Sequence, residues 1–284
     1  MTATFSPRAT TFCPGVIYGC PTAVLSTFGY ARRLGVSVDA ASFDRIGKTY
    51  RTSPFDRSGR VALQDVTLAI PSGTVFGLLG PNRAGKTTLV KLLLSLARPT
   101  TGTVTRLGEP ASRRSTLGRI GYMHENHAFP KYLSASEVLH FYGGLSGMPS
   151  ETIAAKSAEL LERVGLADRR NEPIARFSKG MVQRLGLAQA IVNEPDLLIL
   201  DEPAEGLDLL GRQTLREIIG EFRSSRRTVL LVSHVLPEVQ ELCTDVAVLV
   251  EGKLAFTGPL NDLASQRVGL EAALKSLYTK EAAR

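Results

Sequence analysis

The stretch that most constrains the fold is a glycine-bounded loop between an apolar run and a helical pattern. It follows the apolar residues 75–79 and reads Gly80-Pro81-Asn82-Arg83-Ala84-Gly85-Lys86-Thr87-Thr88. A glycine followed after four residues by Gly-Lys-Thr is the pattern of a P-loop, whose backbone N–H groups surround phosphate oxygens. The next helix points its positive end at the same anion. We expect these residues to bind a nucleotide. Lys86 is expected to contact the β- and γ-phosphates and to take part in the reaction, and the Thr87 hydroxyl is expected to bind Mg²⁺.

Apolar patterning on both sides of this loop predicts an α/β fold. Val66, Leu68 and Ile70 alternate with polar residues, as in a half-buried strand. Parallel strands covered on both faces are continuous apolar runs, and four such runs occur between polar turns and helical segments. These buried strands are predicted at residues 75–79, 197–200, 228–232 and 246–250.

A helical region interrupts the strand pattern between about residues 130 and 180. Ser134 or Ser136 can cap its first helix, and Ser150 can cap its second. In the second helix, Ile153 and the run around Leu160 share one apolar face, which indicates core packing. The predicted architecture is a P-loop α/β core with a helical insertion.

The chain outside this core is predicted to be less organised. Residues 1–42 show neither helical nor strand periodicity and lack the long apolar segment of a secretory signal, which indicates a poorly ordered extension. One hypothesis is that the natural chain starts later, near Val36 or Val38. The main domain is predicted at residues 43–268, and a helical tail at residues 269–284.

Composition narrows the surroundings of the chain. Lys and Arg number 34 against 27 for Asp and Glu, a net charge of +7 that favours anionic neighbours such as nucleotides or the inner face of a membrane. The basic residues are scattered, so no nucleic-acid partner is expected. The apolar runs are far shorter than the ~20 residues that cross a bilayer. The three cysteines form an odd set without metal-ligand spacing, which suits a reducing compartment.

Two acidic residues and a histidine follow buried strands of the predicted sheet. Asp201 and Glu202 end the run 197–200, and His234 closely follows the run 228–232. Ligands of open α/β sheets lie at the carboxyl ends of the strands. We expect Asp201 to hold Mg²⁺, directly or through water, and Glu202 to orient and deprotonate an attacking water. His234 is a candidate for a hydrogen bond to the γ-phosphate.

The segment Phe177-Ser178-Lys179-Gly180-Met181-Val182-Gln183-Arg184 resembles the signature motif of ABC transporter ATP-binding subunits, and the resemblance covers roughly residues 45–265. Ser178 and Gly180 match the commonest form of the motif, whereas Lys179 and Met181 depart from it. A serine hydroxyl and N–H groups at the start of a helix form an anion site. An ordinary helix-capping serine has the same local sequence.

The resemblance implies further residues and a fold. It implies a mixed sheet with an antiparallel β subdomain and an inserted α-helical subdomain. Asp208 takes the D-loop position that communicates across a dimer, and Tyr50 resembles the aromatic residue that stacks on adenine. Glu125 stands in the place of the family's Q-loop glutamine, where it can bind Mg²⁺ but repels the γ-phosphate wherever no metal intervenes. Arg83 stands where the family often has glycine.

The resemblance also implies partners and an activity. ATP is sandwiched with Mg²⁺ between the P-loop of one subunit and the signature motif of a second subunit, most simply a homodimer. Hydrolysis drives export through a separate integral membrane permease, as in drug and polysaccharide exporters, so the expected location is cytoplasmic and peripheral to the inner face of the cell membrane. The rival is a soluble ABC-type ATPase acting on nucleic acid or in translation, although no second P-loop or long coiled coil is present in the sequence. A small-molecule P-loop kinase is a third alternative, but kinases of that class lack the signature motif that this sequence contains.

Overall fold

The structure is a computed structural model that describes residues 39–51, 59–265 and 269–282. Most of the predicted extension, residues 1–42, lies outside the described residues, and so do Val36 and Val38, where the natural chain is suggested to start. The first strand begins at Ala41, inside the range predicted as extension. None of the helices in the described ranges has both the length and the apolarity needed to span a bilayer.

The strands form two sheets. They are β1 (Ala41–Tyr50), β2 (Arg60–Ile70), β3 (Val75–Leu79), β4 (Thr101–Arg106), β5 (Glu109–Pro110), β6 (Ile120–Met123), β7 (Leu197–Asp201), β8 (Thr228–Val232), β9 (Asp245–Val250) and β10 (Lys253–Pro259). The smaller sheet is antiparallel with the order β2-β1-β4-β5, and the larger has the order β10-β9-β3-β8-β7-β6. In the larger sheet β10 is antiparallel to β9, and the other neighbours are parallel. The four predicted buried strands are confirmed, because every residue of β3, β7 and β8 is buried, as are residues 246–250 of β9.

The helices are α1 (Lys86–Leu93), α2 (Ala135–Leu145), α3 (Ser150–Arg163), α4 (Lys179–Ile191), α5 (Leu209–Ser224), α6 (Leu236–Leu242), α7 (Leu260–Ser265) and α8 (Leu270–Ala282). Helices α2 and α3 lie within the helical region predicted between about residues 130 and 180, and α4, which follows it, packs on both of them and on β6. Ser134 caps α2: its hydroxyl accepts from the Glu137 N–H, and the Glu137 carboxylate accepts from the Ser134 N–H.

The capping role predicted for Ser150 is wrong. Pro149 occupies the extended N-cap position of α3, and Ser150 is already the first helical residue. Its hydroxyl instead lies 3.1 Å from Nε2 of His140 on α2, so it joins the two helices. Proline lacks the N–H that stays unpaired at a helix start, so the N-cap falls at Pro149 and Ser150 lies inside the helix.

Alternate residues of the large sheet pack into two separate cores. On β7, Leu198 and Leu200 belong to the core shared with the inserted helices, whereas Leu197 and Ile199 belong to the core shared with α1 and the antiparallel sheet. This arrangement follows from the two-residue period of a strand covered on both faces. The sheet is therefore fixed from both sides, and the loops at its carboxyl edge extend from a rigid base.

Candidate nucleotide-binding site

The P-loop connects β3 to α1 through two glycines that no other residue can replace without strain. Gly80 has φ 151°, and a Cβ there would collide with the Leu249 carbonyl. Gly85 has φ 109°, and a Cβ there would lie 2.8 Å from the Ala62 carbonyl oxygen. Helix α1 begins directly after Gly85, so its first N–H groups face the loop, as the sequence predicts.

Lys86 is buried at the base of the loop. Its Nζ donates hydrogen bonds to the carbonyl oxygens of Gly80, at 2.6 Å, and Pro81, at 3.2 Å. Burial lowers the pKa of the ammonium, and three carboxylates oppose this effect, those of Glu202, Asp201 and Glu125. The lysine thus holds a desolvated positive charge at the position where the P-loop pattern predicts phosphate.

The sheet order brings the sequence-predicted residues to one edge. The loops after β3, β8, β7 and β6 lie side by side, because these strands are consecutive neighbours and parallel. From β3 outward they carry the P-loop, His234, the pair Asp201–Glu202, and Glu125. A cavity of about 380 Å³ opens there, lined by Tyr50, Arg60, Ala62, Asn82, Arg83, Ala84, Gly85, Lys86, Thr87, Thr88, Glu125, Asp201 and Glu202.

The carboxylates of this cavity form an excess of negative charge. Asp201 is 3% exposed, and its pKa is raised to about 6, first by burial and then by Glu125 and Glu202. A divalent cation compensates such a cluster, and carboxylate and hydroxyl oxygens are the ligands that Mg²⁺ prefers. Across the described ranges, no three His, Cys, Asp or Glu side chains group closely enough to hold a metal ion by themselves. The residues therefore fit a Mg²⁺ whose remaining ligands are phosphate oxygens and water.

Glu202 and His234 contact each other directly. Nδ1 of His234 lies 2.8 Å from Oε2 of Glu202, and the same oxygen accepts from the His234 backbone N–H at 3.2 Å. A ring nitrogen facing a carboxylate carries the proton, which leaves Nε2 for another partner. Glu202 adopts φ 50°, and this left-handed turn directs its carboxylate differently from that of Asp201. Both residues line the same cavity.

Six predicted residues are absent from the lining of this cavity: Gly80 and Pro81 of the P-loop, His234, Ser178, Gly180 and Asp208. Ser178 caps α4 by accepting from the Met181 N–H at 3.2 Å, and Asp208 caps α5 by accepting from the Gly211 N–H at 2.8 Å. Gly180 lies at the start of α4, where a Cβ would be 3.1 Å from the Gly206 carbonyl oxygen. Ser178 and Asp208 therefore both act as helix caps. A ligand that contacts Ser178 or Gly180 would lie outside the 380 Å³ cavity.

Arg60 and Ala62, which line the cavity from β2, are absent from the sequence-based set of candidate residues. The alternation of β2 places these two residues on the same strand face, and β1 pairs with β2 so that Arg60 lies opposite Tyr50. Tyr50 is predicted to stack on the base, so its cross-strand partner would also have been a candidate for the site. The sequence pattern alone does not give the register that makes Arg60 this partner.

The P-loop, its buried lysine and the acidic strand end together define a P-loop nucleotide-binding protein. The family model for "ABC transporter" matches residues 63–205, about half of the chain. An uncharacterized ABC transporter ATP-binding protein of Nostoc sp. is 43% identical over 76% of this chain and 65% of its own length. The chain belongs to the family of ABC transporter ATP-binding proteins.

Two further similarities agree with this assignment. The Nod factor export ATP-binding protein I of Cupriavidus pinatubonensis is 36% identical over 74% of this chain and 66% of its own length. The chain thus covers just under two thirds of the length of both relatives. A solved ATP-binding subunit of an ABC transporter superposes with a TM-score of 0.75 at 27% identity, covering 85% of this chain and 98% of that structure. The predicted fold class, including the antiparallel and helical subdomains, is confirmed.

We predict that Glu125→Gln increases the affinity for ATP in the absence of Mg²⁺. Removing one negative charge near the phosphates relieves about 1 kcal/mol of repulsion, which corresponds to roughly fivefold in affinity. With Mg²⁺ present the gain should be smaller, because the cation offsets the carboxylate. Displacement of a fluorescent ATP analogue with and without Mg²⁺ measures both values.

Glu151→Gln, on the exposed side of α3, is the charge-matched control. An equal gain with and without Mg²⁺ would show that Glu125 does not act on the phosphates.

Proposed function

We propose that the chain binds ATP with Mg²⁺ and hydrolyses it to power transport through a separate membrane permease. The observation that carries this proposal is the shared cavity, in which the P-loop and Lys86 lie beside Glu202. Phosphate recognition and a general base are then within reach of one nucleotide. The kinase alternative has no support in the comparisons, because the family is that of ABC transporter ATP-binding proteins.

The chain's own residues divide the chemistry between binding and proton transfer. The P-loop N–H groups and Lys86 hold the β- and γ-phosphates and disperse the charge that develops on them. Glu202 orients a water molecule in line with the γ-phosphorus and accepts its proton. His234, anchored through Nδ1 on Glu202, directs Nε2 to the γ-phosphate. Thr87, Asp201 and Glu125 are suited to hold Mg²⁺, which when bound neutralises phosphate charge.

We propose that two copies of the chain complete each ATP site. Ser178 and Gly180 are separated from the cavity of their own chain, so they can serve the nucleotide of a second chain in a head-to-tail pair. Ser178 is exposed at the start of α4, and its hydroxyl hydrogen remains able to donate while its oxygen caps the helix. Asp208, at the start of α5, is assigned to the contact between the two chains.

A mixing experiment tests both ATP hydrolysis and the shared site. Lys86→Ala and Ser178→Arg should each abolish Mg²⁺-dependent hydrolysis when purified alone. Mixing the two variants should restore activity, because a mixed dimer contains one site with an intact P-loop and an intact signature motif. Two Lys86→Ala preparations mixed together are the control. An inactive mixture from variants that do form mixed dimers would contradict the shared site, and an inactive wild type would contradict the ATPase itself.

The permease is proposed to contact the helical region. Phe141 and Leu145 on α2 are exposed by 57% and 69%, and Leu145 lines a second cavity of about 560 Å³ bounded by β6, α2 and α4. The loop containing Glu125 runs between the two cavities, so it can transmit movement from one to the other. Export as the direction of transport is supported by the relative that is named for Nod factor export. The proposed location is the cytoplasmic face of the membrane. Recovery of the chain with a polytopic membrane protein supports this part, whereas co-purification with RNA favours the nucleic-acid rival.

A further inference from the structure

The nucleoside end of the 380 Å³ cavity carries an aromatic residue and an arginine side by side. Tyr50 ends β1 and Arg60 begins β2, and the two are directly paired in the antiparallel ladder. Residues paired in this way share one face of the sheet, with Cβ atoms about 5 Å apart. Both side chains also line the cavity. Arg60 is therefore a neighbour of any base that stacks on Tyr50.

Lys48 determines which face of the Tyr50 ring a base can use. Its Nζ lies 4.8 Å from the ring centroid and donates a 2.8 Å hydrogen bond to the Arg98 carbonyl oxygen. This ammonium covers one face of the ring and is held there by the backbone. The opposite face is the one left for a base to stack on.

Arg60 has donors available for that base. In the part of the chain that the structure describes, no carboxylate forms an ion pair with its guanidinium, and the side chain is exposed. The three carboxylates of the cavity act instead on Lys86, at the phosphate end. A guanidinium fork matches the O6 and N7 acceptors of guanine with two hydrogen bonds. On the corresponding edge of adenine it finds only N7 as an acceptor, because N6 is a donor.

We propose that Arg60 is a specificity-determining residue that contacts the purine base, so that this site accepts guanine nucleotides as well as adenine nucleotides. This inference rests on the proposed nucleotide binding but not on hydrolysis, dimer formation or transport. Stacking on Tyr50 does not by itself distinguish one base from another, and the contact with Arg60 adds that distinction.

The test compares GTP and ATP in displacement of a fluorescent ATP analogue, with Mg²⁺ present and in the Glu202→Gln background to prevent turnover. Arg60→Leu should weaken GTP binding about tenfold, the size expected of one bidentate base contact, and ATP binding much less. Arg60→Lys keeps the charge but loses the fork, so it should also lose most of the GTP affinity. Arg83→Leu, in the P-loop, is the control and should change both nucleotides by the same factor.

The outcomes separate this inference from the proposed function. A selective loss of GTP affinity in both Arg60 variants supports a base contact. Equal losses for GTP and ATP, or full retention by Arg60→Lys, would overturn it, because Arg60 would then act through charge alone. Unchanged affinities in both variants would overturn it as well. If the protein with an intact Arg60 binds neither nucleotide, the failure lies in the proposed nucleotide site.

Discussion

The Glu202→Gln variant is expected to bind ATP like the wild type and to hydrolyse it about 10²- to 10⁴-fold more slowly, the loss typical of removing a general base. Glutamine retains the shape of the side chain, and its carbonyl oxygen can still accept from the His234 N–H, a contact of 3.2 Å in this structure. It cannot accept a proton from water. Phosphate release under saturating ATP measures turnover, and displacement of a fluorescent ATP analogue measures binding.

The control for this experiment is Glu217→Gln, which removes one negative charge from the exposed side of α5. Glu217 accepts a 3.0 Å hydrogen bond from Gln213 and lies outside the cavity. Its turnover should match that of the wild type. Near-normal hydrolysis by Glu202→Gln would show that another group accepts the proton. Asp201 is then the next candidate, because it is the adjacent carboxylate in the same cavity.

The parts of the fold that depend on local pattern are predictable from the sequence. The P-loop has fixed spacing, and each buried strand is a short apolar run between turns, so β3, β7 and β8 are correctly placed. Helix α2 is equally local, because the capping box between Ser134 and Glu137 spans only four residues. In each case, neighbours in the sequence determine the structure.

The arrangement of the site depends on contacts between distant segments, which local pattern does not determine. Strand β8 follows β7 in the chain but lies between β3 and β7 in the sheet. This order brings His234 to Glu202, whereas the sequence indicates only that both lie at the same edge. Arg60 is a similar case, because its pairing with Tyr50 depends on the register of a hairpin. The wrong prediction for Ser150 has a local cause instead, because the N-cap position is taken by its immediate neighbour, Pro149.

The Lys86→Ala variant is expected to lose about 10- to 100-fold in affinity for ATP, which corresponds to hydrogen bonds from a charged group of ~1.5–3 kcal/mol. Lys86 is 8% exposed, and burial already lowers the pKa of its ammonium, so water screens its attraction for phosphate only weakly. Its bonds to the Gly80 and Pro81 carbonyl oxygens hold the charge beside the loop before a nucleotide arrives. Titration with a fluorescent ATP analogue gives the affinity.

Lys91→Ala is the matched control, because it removes the same charge from an exposed position of the same helix. Its affinity for ATP should be unchanged, since a solvated ammonium away from the cavity is screened by water and salt. Lys86→Met adds a second comparison: it keeps most of the side-chain volume, so a loss of affinity without a lower Tm assigns the effect to the charge. Unchanged ATP affinity in Lys86→Ala would mean that the P-loop N–H groups alone hold the phosphates. The buried ammonium would then have no binding role to offset the cost of its desolvation.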